Sequence, residues 1–188
     1  MKNNIIKIIL FFLFTNISFA DELEISAKNI SVDKKKEISI FKDEVVIIDK
    51  DNNKIKTEYA VYDYKSQNIE AKGETIITTS EGYIVETKDI NFNKRKNFIN
   101  SESPTIIKDI QNNEIYLENF NYQMKQNIFK SIGLIKVIDK SNNTYEFSQI
   151  YIDKNKKELI GSDSKTFLNQ DEFKAVSYTH LRAHETVS

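Results

Sequence analysis

The sequence predicts an all-β fold, a bent, V-shaped stack of antiparallel strands made from five repeats of thirty residues. Three observations predict it. Apolar residues alternate at period two along the chain, with β-branched and aromatic types dominating, and no helix-period stripe follows the first twenty residues. Columns of like residues appear when the 188 residues are stacked in rows of thirty, with no insertion anywhere. The apolar parity also flips at the same place in successive rows, which a straight strand cannot do.

The chain opens on MKNNIIKIILFFLFTNISFA (1–20). Lys2 and Lys7 precede an apolar run from Ile8 to Phe14, and Ser18-Phe19-Ala20 supplies small residues at the −3 and −1 positions of a cleavage site. This reads as a cleavable secretory signal peptide; the run is shorter than the ~20 residues of a spanning helix. No Cys follows it, so a lipoprotein is not expected. The mature chain is expected to begin near Asp21, with 21–174 as one domain.

Five rows follow. One column holds Ile30, Ala60, Ile90, Phe120 and Ile150, and two places on stand Val32, Tyr62, Phe92, Tyr122 and Ile152. Further apolar columns are Ile25, Ile55, Val85, Ile115 and Tyr145; then Ile69, Ile99, Phe129 and Leu159; then Ile47, Ile77, Ile107 and Val137. In a repeat architecture each unit buries its apolar face by stacking on its neighbours. Each row reads as two strands, in the second row about 55–63 and 67–79. Polar segments such as DYKSQN (63–68) and NKRKN (93–97) form hairpins between them. Asn52-Asn53, Gly82-Tyr83, Asn112-Asn113 and Asn142-Asn143 turn one row into the next.

The bend comes from parity. Ile55 and Thr57 are odd, whereas Ala60 and Tyr62 are even; the flip recurs at 115/117 against 120/122 and at 145/147 against 150/152. A bulge or sharp bend is needed mid-strand in every row. The stack then has one long apolar inner face. It is either a packed core between two sheet halves ~10 Å apart or a trough. A trough suits long acyl chains, whose burial is worth ~0.8 kcal/mol per CH₂.

The last fourteen residues, AVSYTHLRAHETVS (175–188), break the Lys/Asn/Ile bias and hold both His residues, His180 and His184. They are expected to be a non-native or disordered tail, outside the fold.

Composition narrows function by exclusion. The net charge is −1, falling to about −3 if Lys2 and Lys7 are removed, and the lysines are scattered, so nucleic acid is not an expected partner. There is no Cys, hence no disulfide or thiolate metal site within the chain. Asp43-Glu44 are adjacent along a strand and point to opposite faces, a poor acid–base pair. DKDNNK (49–54) begins like a calcium loop, but Lys54 and Ala60 occupy the Gly and bidentate Glu positions. The same column reads DIQNN and DKSNN elsewhere, which is turn chemistry. No catalytic residue, metal or cofactor is expected.

The signal peptide, the recurrent I/A-x-[aromatic/β-branched]-[D/N] strand and NIEAKGETIITT (68–79) together resemble the OstA-like β-jellyroll of the lipopolysaccharide transport family, over about residues 23–174. The resemblance implies a periplasmic protein whose groove holds the acyl chains of lipid A while the sugars stay in water. It implies lipopolysaccharide as ligand, other jellyroll proteins of the transport bridge as partners through edge-strand pairing, and no enzymatic activity. Within the family, FLNQDEFK (167–174) looks most like the run from an LptD-type N-terminal jellyroll toward its outer-membrane barrel, which would add outer-membrane assembly components as partners. A free LptA-type bridge is the alternative. The expected groove residues are Ile47, Ile55, Ile69, Ile77, Val85, Ile99, Ile107, Ile115, Phe129 and Val137. The first row (Leu23 to Lys54) and the last (Glu146 to Lys174) would supply the pairing edges, and cations such as Lys56 or Lys88 would meet lipid phosphates. Readings of another class remain: an exported parallel β-helix, as adhesin or polysaccharide-processing enzyme, or a structural module that binds only protein.

Overall fold

The computed structural model describes residues 23–168, and the backbone of 174–176 and 181–183. The expected signal peptide (1–20) and most of the tail lie outside the described residues. The first row begins with β1 (Glu24–Ser26) and β2 (Asn29–Asp33), two parts of one outgoing strand. The long strands β3 (Ile38–Ile48), β4 (Lys54–Asp63), β5 (Asn68–Thr78) and β6 (Ile84–Asn93) follow. Then come β7 (Phe98–Ser101), β8 (Thr105–Lys108), β9 (Glu114–Leu117) and β10 (Phe120–Gln123), which are half-length. Long β11 (Ile128–Ile138) and β12 (Thr144–Asp153) precede short β13 (Glu158–Ser162) and β14 (Lys165–Phe167). Strands β4 and β5 fall within a residue or two of the spans expected from sequence.

Every pairing among the described residues is antiparallel. The parallel β-helix is thereby excluded. If β1 with β2, β7 with β8, β9 with β10 and β13 with β14 are each taken as one bent strand, then from Glu24 to Phe167 each strand pairs with the one before and the one after it, and the chain is a meander. Two half-sheets result. One contains β1, β8, β9 and β14 with residues 45–48, 54–57, 75–78, 84–87, 135–138 and 144–147. The other contains β2, β7, β10 and β13 with the remaining halves of the long strands. Their inner faces meet in a single core running from Phe41 to Leu159.

The bend divides between two devices. In β4 the inward residues are Ile55 and Thr57, then Ala60; in β12 they are Tyr145 and Phe147, then Ile150. This is the parity flip read in the sequence. The extra residue, however, sits in the partner strand. Lys42 pairs with Tyr59 and Val45 with Thr57, so β3 spends one residue more than β4; β5 and β11 do the same against β6 and β12. The inserted positions take the left-handed region: Asp43 (φ 63°), Gly73 (91°) and Gly133 (114°); Asp163 (52°), between β13 and β14, shares that conformation although the register against β12 does not shift there. All four lie in one thirty-residue column, and they are Gly or Asp because these residue types tolerate positive φ best. The fifth member, Ser103, precedes Pro104, which has no N–H for a ladder; there the strand is cut into β7 and β8.

A bulge frees carbonyls at the bend, and buried hydroxyls take them up. Thr57 donates to Lys72 O (3.1 Å), Thr75 to Gly73 O (2.9 Å), Thr105 to Ser103 O (2.9 Å) and Ser131 to Asn119 O (2.7 Å). These polar side chains are the small members of the inner columns. Among the described residues no buried side-chain polar atom lacks a partner, as a low-dielectric interior demands.

At the tail, the backbone of β15 (Lys174–Val176) pairs with β14 and that of β16 (Leu181–Ala183) with β13. The open backbone groups of β13 and β14 are thus paired on both sides, and the expected last-row edge is covered here. The opposite end differs: among the described residues β2 pairs only with β3.

Candidate functional site

The inner face is held by turns at both ends of the strands. At one end, segments 33–37, 63–67, 93–97, 123–127 and 153–157 each close a hairpin. Glu37, Gln67, Asn97, Asn127 and Lys157, the last residue of each, have φ between 49° and 55°. The first residue acts as an acceptor: Asp33 Oδ1 takes Lys35 N and Lys36 N (3.0 and 3.1 Å), and Asp63 Oδ1 takes Lys65 N and Ser66 N (2.8 and 3.0 Å). These bonds hold the Asp63 carboxyl below its ordinary range. Successive turns are tied together, with Tyr64 N donating to Glu37 O (3.0 Å) and Lys94 N to Gln67 O (2.9 Å).

At the other end the turns are 49–53, 79–83, 109–113 and 139–143. Asp49, Asp109 and Asp139 are buried. Asp109 Oδ1 accepts from Gln111 N (2.7 Å) and Asn113 N (2.9 Å), and its Oδ2 from Asn113 Nδ2 (2.6 Å). Asn113 Oδ1 accepts from Lys140 N (2.8 Å) in the next row, as Asn53 Oδ1 does from Ser80 N (3.0 Å). The DKDNNK segment is therefore one rung of an Asp–Asn ladder. Among the described residues no group of His, Cys, Asp and Glu could hold a metal.

All ten expected groove residues lie on the inner face and belong to one core. None of Ile47, Ile55, Ile69, Ile77, Val85, Ile99, Ile107, Ile115, Phe129 and Val137 is more than 5% exposed. They are closed off from solvent in this structure. Met124 and Tyr83, from turns at opposite ends of the strands, are buried in the same core. Burial pushes the phenols of Tyr83, Tyr122 and Tyr145 up to about 12.

The two rows of turns form the lips of the folded stack. Glu81, on the second lip, lies close enough to Tyr122 and Lys154 of the first half-sheet's opposite number for its charge to act on both. Lys154 is half-buried; desolvation pulls its ammonium below the ordinary lysine range, and Glu81 opposes that pull. Neither Lys56 nor Lys88 belongs to a lip. Lys56 is exposed between Val46 and Ile76 on the outer face, and Lys88 is exposed at the bend. The cations at the lips are those of the hairpin turns, which sequence reading treated only as turn chemistry. Their period of thirty was the available signal.

At the β2 end, Ile30 and Val32 belong to inward columns, yet among the described residues they are 55% and 60% exposed. Val32 borders a shallow depression with Tyr64 and Ile38 beside Lys34.

No family model matches the chain, and no curated protein matches it. Among solved structures it is similar to that of LptH from Pseudomonas aeruginosa, described as the LptA homologous periplasmic component of the conserved lipopolysaccharide transport device. The identity is 13% over 90% of this chain and 99% of that one, with a TM-score of 0.32.

Proposed function

We propose that the protein carries lipopolysaccharide across the periplasm, with acyl chains taken between the two half-sheets and the sugars left in water. The observation that carries this reading is the predominantly apolar inner face, which runs the length of the stack between two rows of polar turns and among the described residues leaves Ile30 and Val32 exposed at the β2 end. Entry requires the half-sheets to part at the lips. Each buried CH₂ then returns ~0.8 kcal/mol, so a chain of about a dozen carbons offers roughly 9 kcal/mol against the contacts it displaces. The buried polar groups are engaged in turn and bulge hydrogen bonds, which favours a carrier over an enzyme.

The partners on this reading are neighbouring jellyrolls. Among the described residues β2 pairs on one side only, and Ile30 and Val32 beside it are exposed, features that suit strand addition. The finer reading, that the domain stands before an outer-membrane barrel rather than as a free bridge, rests on FLNQDEFK (167–174). It is tested by the genomic reading frame beyond Lys174: alternating barrel strands support it, and a stop codon refutes it.

A photo-crosslinking residue in place of Ile77 or Ile107 in cells tests the main reading. The expected product is a lipopolysaccharide adduct. Crosslinks confined to the protein itself at both sites would mean a permanently closed core and refute it.

A further inference from the structure

The two lips differ in charge. The five hairpin turns 33–37, 63–67, 93–97, 123–127 and 153–157 hold eleven cations and four acids. The four opposing turns hold two cations, Lys50 and Lys140, against five acids. Eleven of the chain's 27 Lys and Arg thus lie in 25 of its 188 residues, although the net charge is only −1. A solvated sheet edge needs no such segregation.

The placement is also regular. Lys35, Lys65, Arg95 and Lys125 occupy one column, all exposed. Adjacent members are two strands apart, or ~9.6 Å. The Arg95 guanidinium is oriented by a bond to Lys65 O (3.0 Å). In the neighbouring column Lys34 and Tyr64 are exposed, but Met124 is buried in the core and Lys94 and Lys154 on either side of it are half-buried. Apolar core and cations are therefore contiguous there, the order of groups an amphiphile with phosphate next to its chains would meet.

From this we infer that the hairpin lip is the binding surface for the phosphates of the carried lipid's headgroup, with Lys94 and Lys154 nearest the chains and the Lys35–Lys125 column outside them. The inference rests on the acyl-carrier reading above. Phosphate and guanidinium or ammonium form the stronger class of hydrogen bond.

The test uses the purified protein with two probes, bis-phosphorylated lipid A and the same lipid with both phosphates removed. The expected result is binding of the phosphorylated lipid tighter by about tenfold or more, a gap that narrows as salt rises. A variant carrying Lys35→Ala, Lys65→Ala, Arg95→Ala and Lys125→Ala loses most of that gap. A control with Lys42→Ala, Lys54→Ala, Lys56→Ala and Lys130→Ala, outside the lips, keeps it. Equal affinity of the unaltered protein for the two lipids overturns the inference, whatever the variants do. So does a gap retained in the lip variant, or lost equally in the control. Capture by anionic phospholipid vesicles through the lip, without any phosphate dependence of lipid A binding, also overturns it in favour of a membrane surface. If the dephosphorylated lipid still binds and Ile77 or Ile107 still gives an adduct, only the lip assignment has failed. If neither lipid binds and neither site gives an adduct, the carrier reading itself has failed.

Discussion

Replacing Asp109 by Ala would test whether the Asp–Asn ladder holds the rows together. The substitution removes the acceptor for Gln111 N, Asn113 N and Asn113 Nδ2. Gln111 is exposed, so water replaces its bond. Asn113 is 1% exposed, and both of its donors are stranded. A buried donor without a partner costs about 1–3 kcal/mol, so the expected loss is about 2–6 kcal/mol. That is a large part of the ~5–15 kcal/mol that holds a domain folded. The chain supplies its own comparison. In the 79–83 turn a Thr stands in the Asp position, and Thr79 Oγ1 accepts from Tyr83 N at 3.0 Å. Asp109→Thr therefore keeps one of the two buried bonds and should lose about half as much as Asp109→Ala. Urea denaturation reads both, with the slope of the transition checked for constancy. A loss below about 1 kcal/mol for Asp109→Ala, or equal losses for Ala and Thr, would refute the argument.

Phe92→Ala empties a site that is 1% exposed and should cost about 3–5 kcal/mol in the same assay. Gly161→Ala brings a Cβ within 2.7 Å of Phe147 Cδ1; the expected cost is about 1–3 kcal/mol, and adding Phe147→Leu should recover part of it. Alkaline titration followed by phenolate absorbance should show Tyr83, Tyr122 and Tyr145 ionising late, near 12. In the unfolded chain these phenols lose their protons at about pH 10. Between about pH 10 and 12 the folded state binds more protons, so stability is whole below that window and falls as pH rises through it. A flat urea midpoint from pH 10 to 12 would contradict the assignment.

Much of the fold could be read from the chain because its strands repeat. The columns through Ile55, Ile77 and Phe92 specified which residues face inward, since a slip of one residue would have turned every one of them outward. The bend was visible in the flip from Thr57 to Ala60. Its second half was harder to see, because β5 keeps its parity from Ala71 to Thr75 while absorbing an extra residue. The evidence was the column Asp43, Gly73, Gly133 and Asp163, whose members share a conformation and little else. The site was less legible. Inward orientation follows from alternation, but whether an inward face is filled depends on the distance between two half-sheets, which no strand records. Buried Thr57 and Thr87 are small residues in inner columns whose hydroxyls reach a bulge carbonyl and neighbouring hydroxyls, a role that alternation does not record. Lys56 and Lys88 were misjudged as mouth cations because a strand's pattern tells inside from outside and says nothing about nearness to the mouth.

The constant period has a consequence for how such a chain can change its size. Because every column recurs at thirty residues, a recombination that duplicates or removes one whole period leaves each surviving turn, bulge and inward residue opposite a proper partner. Inserting a single residue in a strand, unless a bulge absorbs it, throws the rest of that strand onto the wrong face. The length of the stack is therefore quantised, growing or shrinking in increments of ~9.6 Å, with each added rung contributing its own nearest-neighbour stability. Lineages of this design would differ by whole rungs and by nothing between.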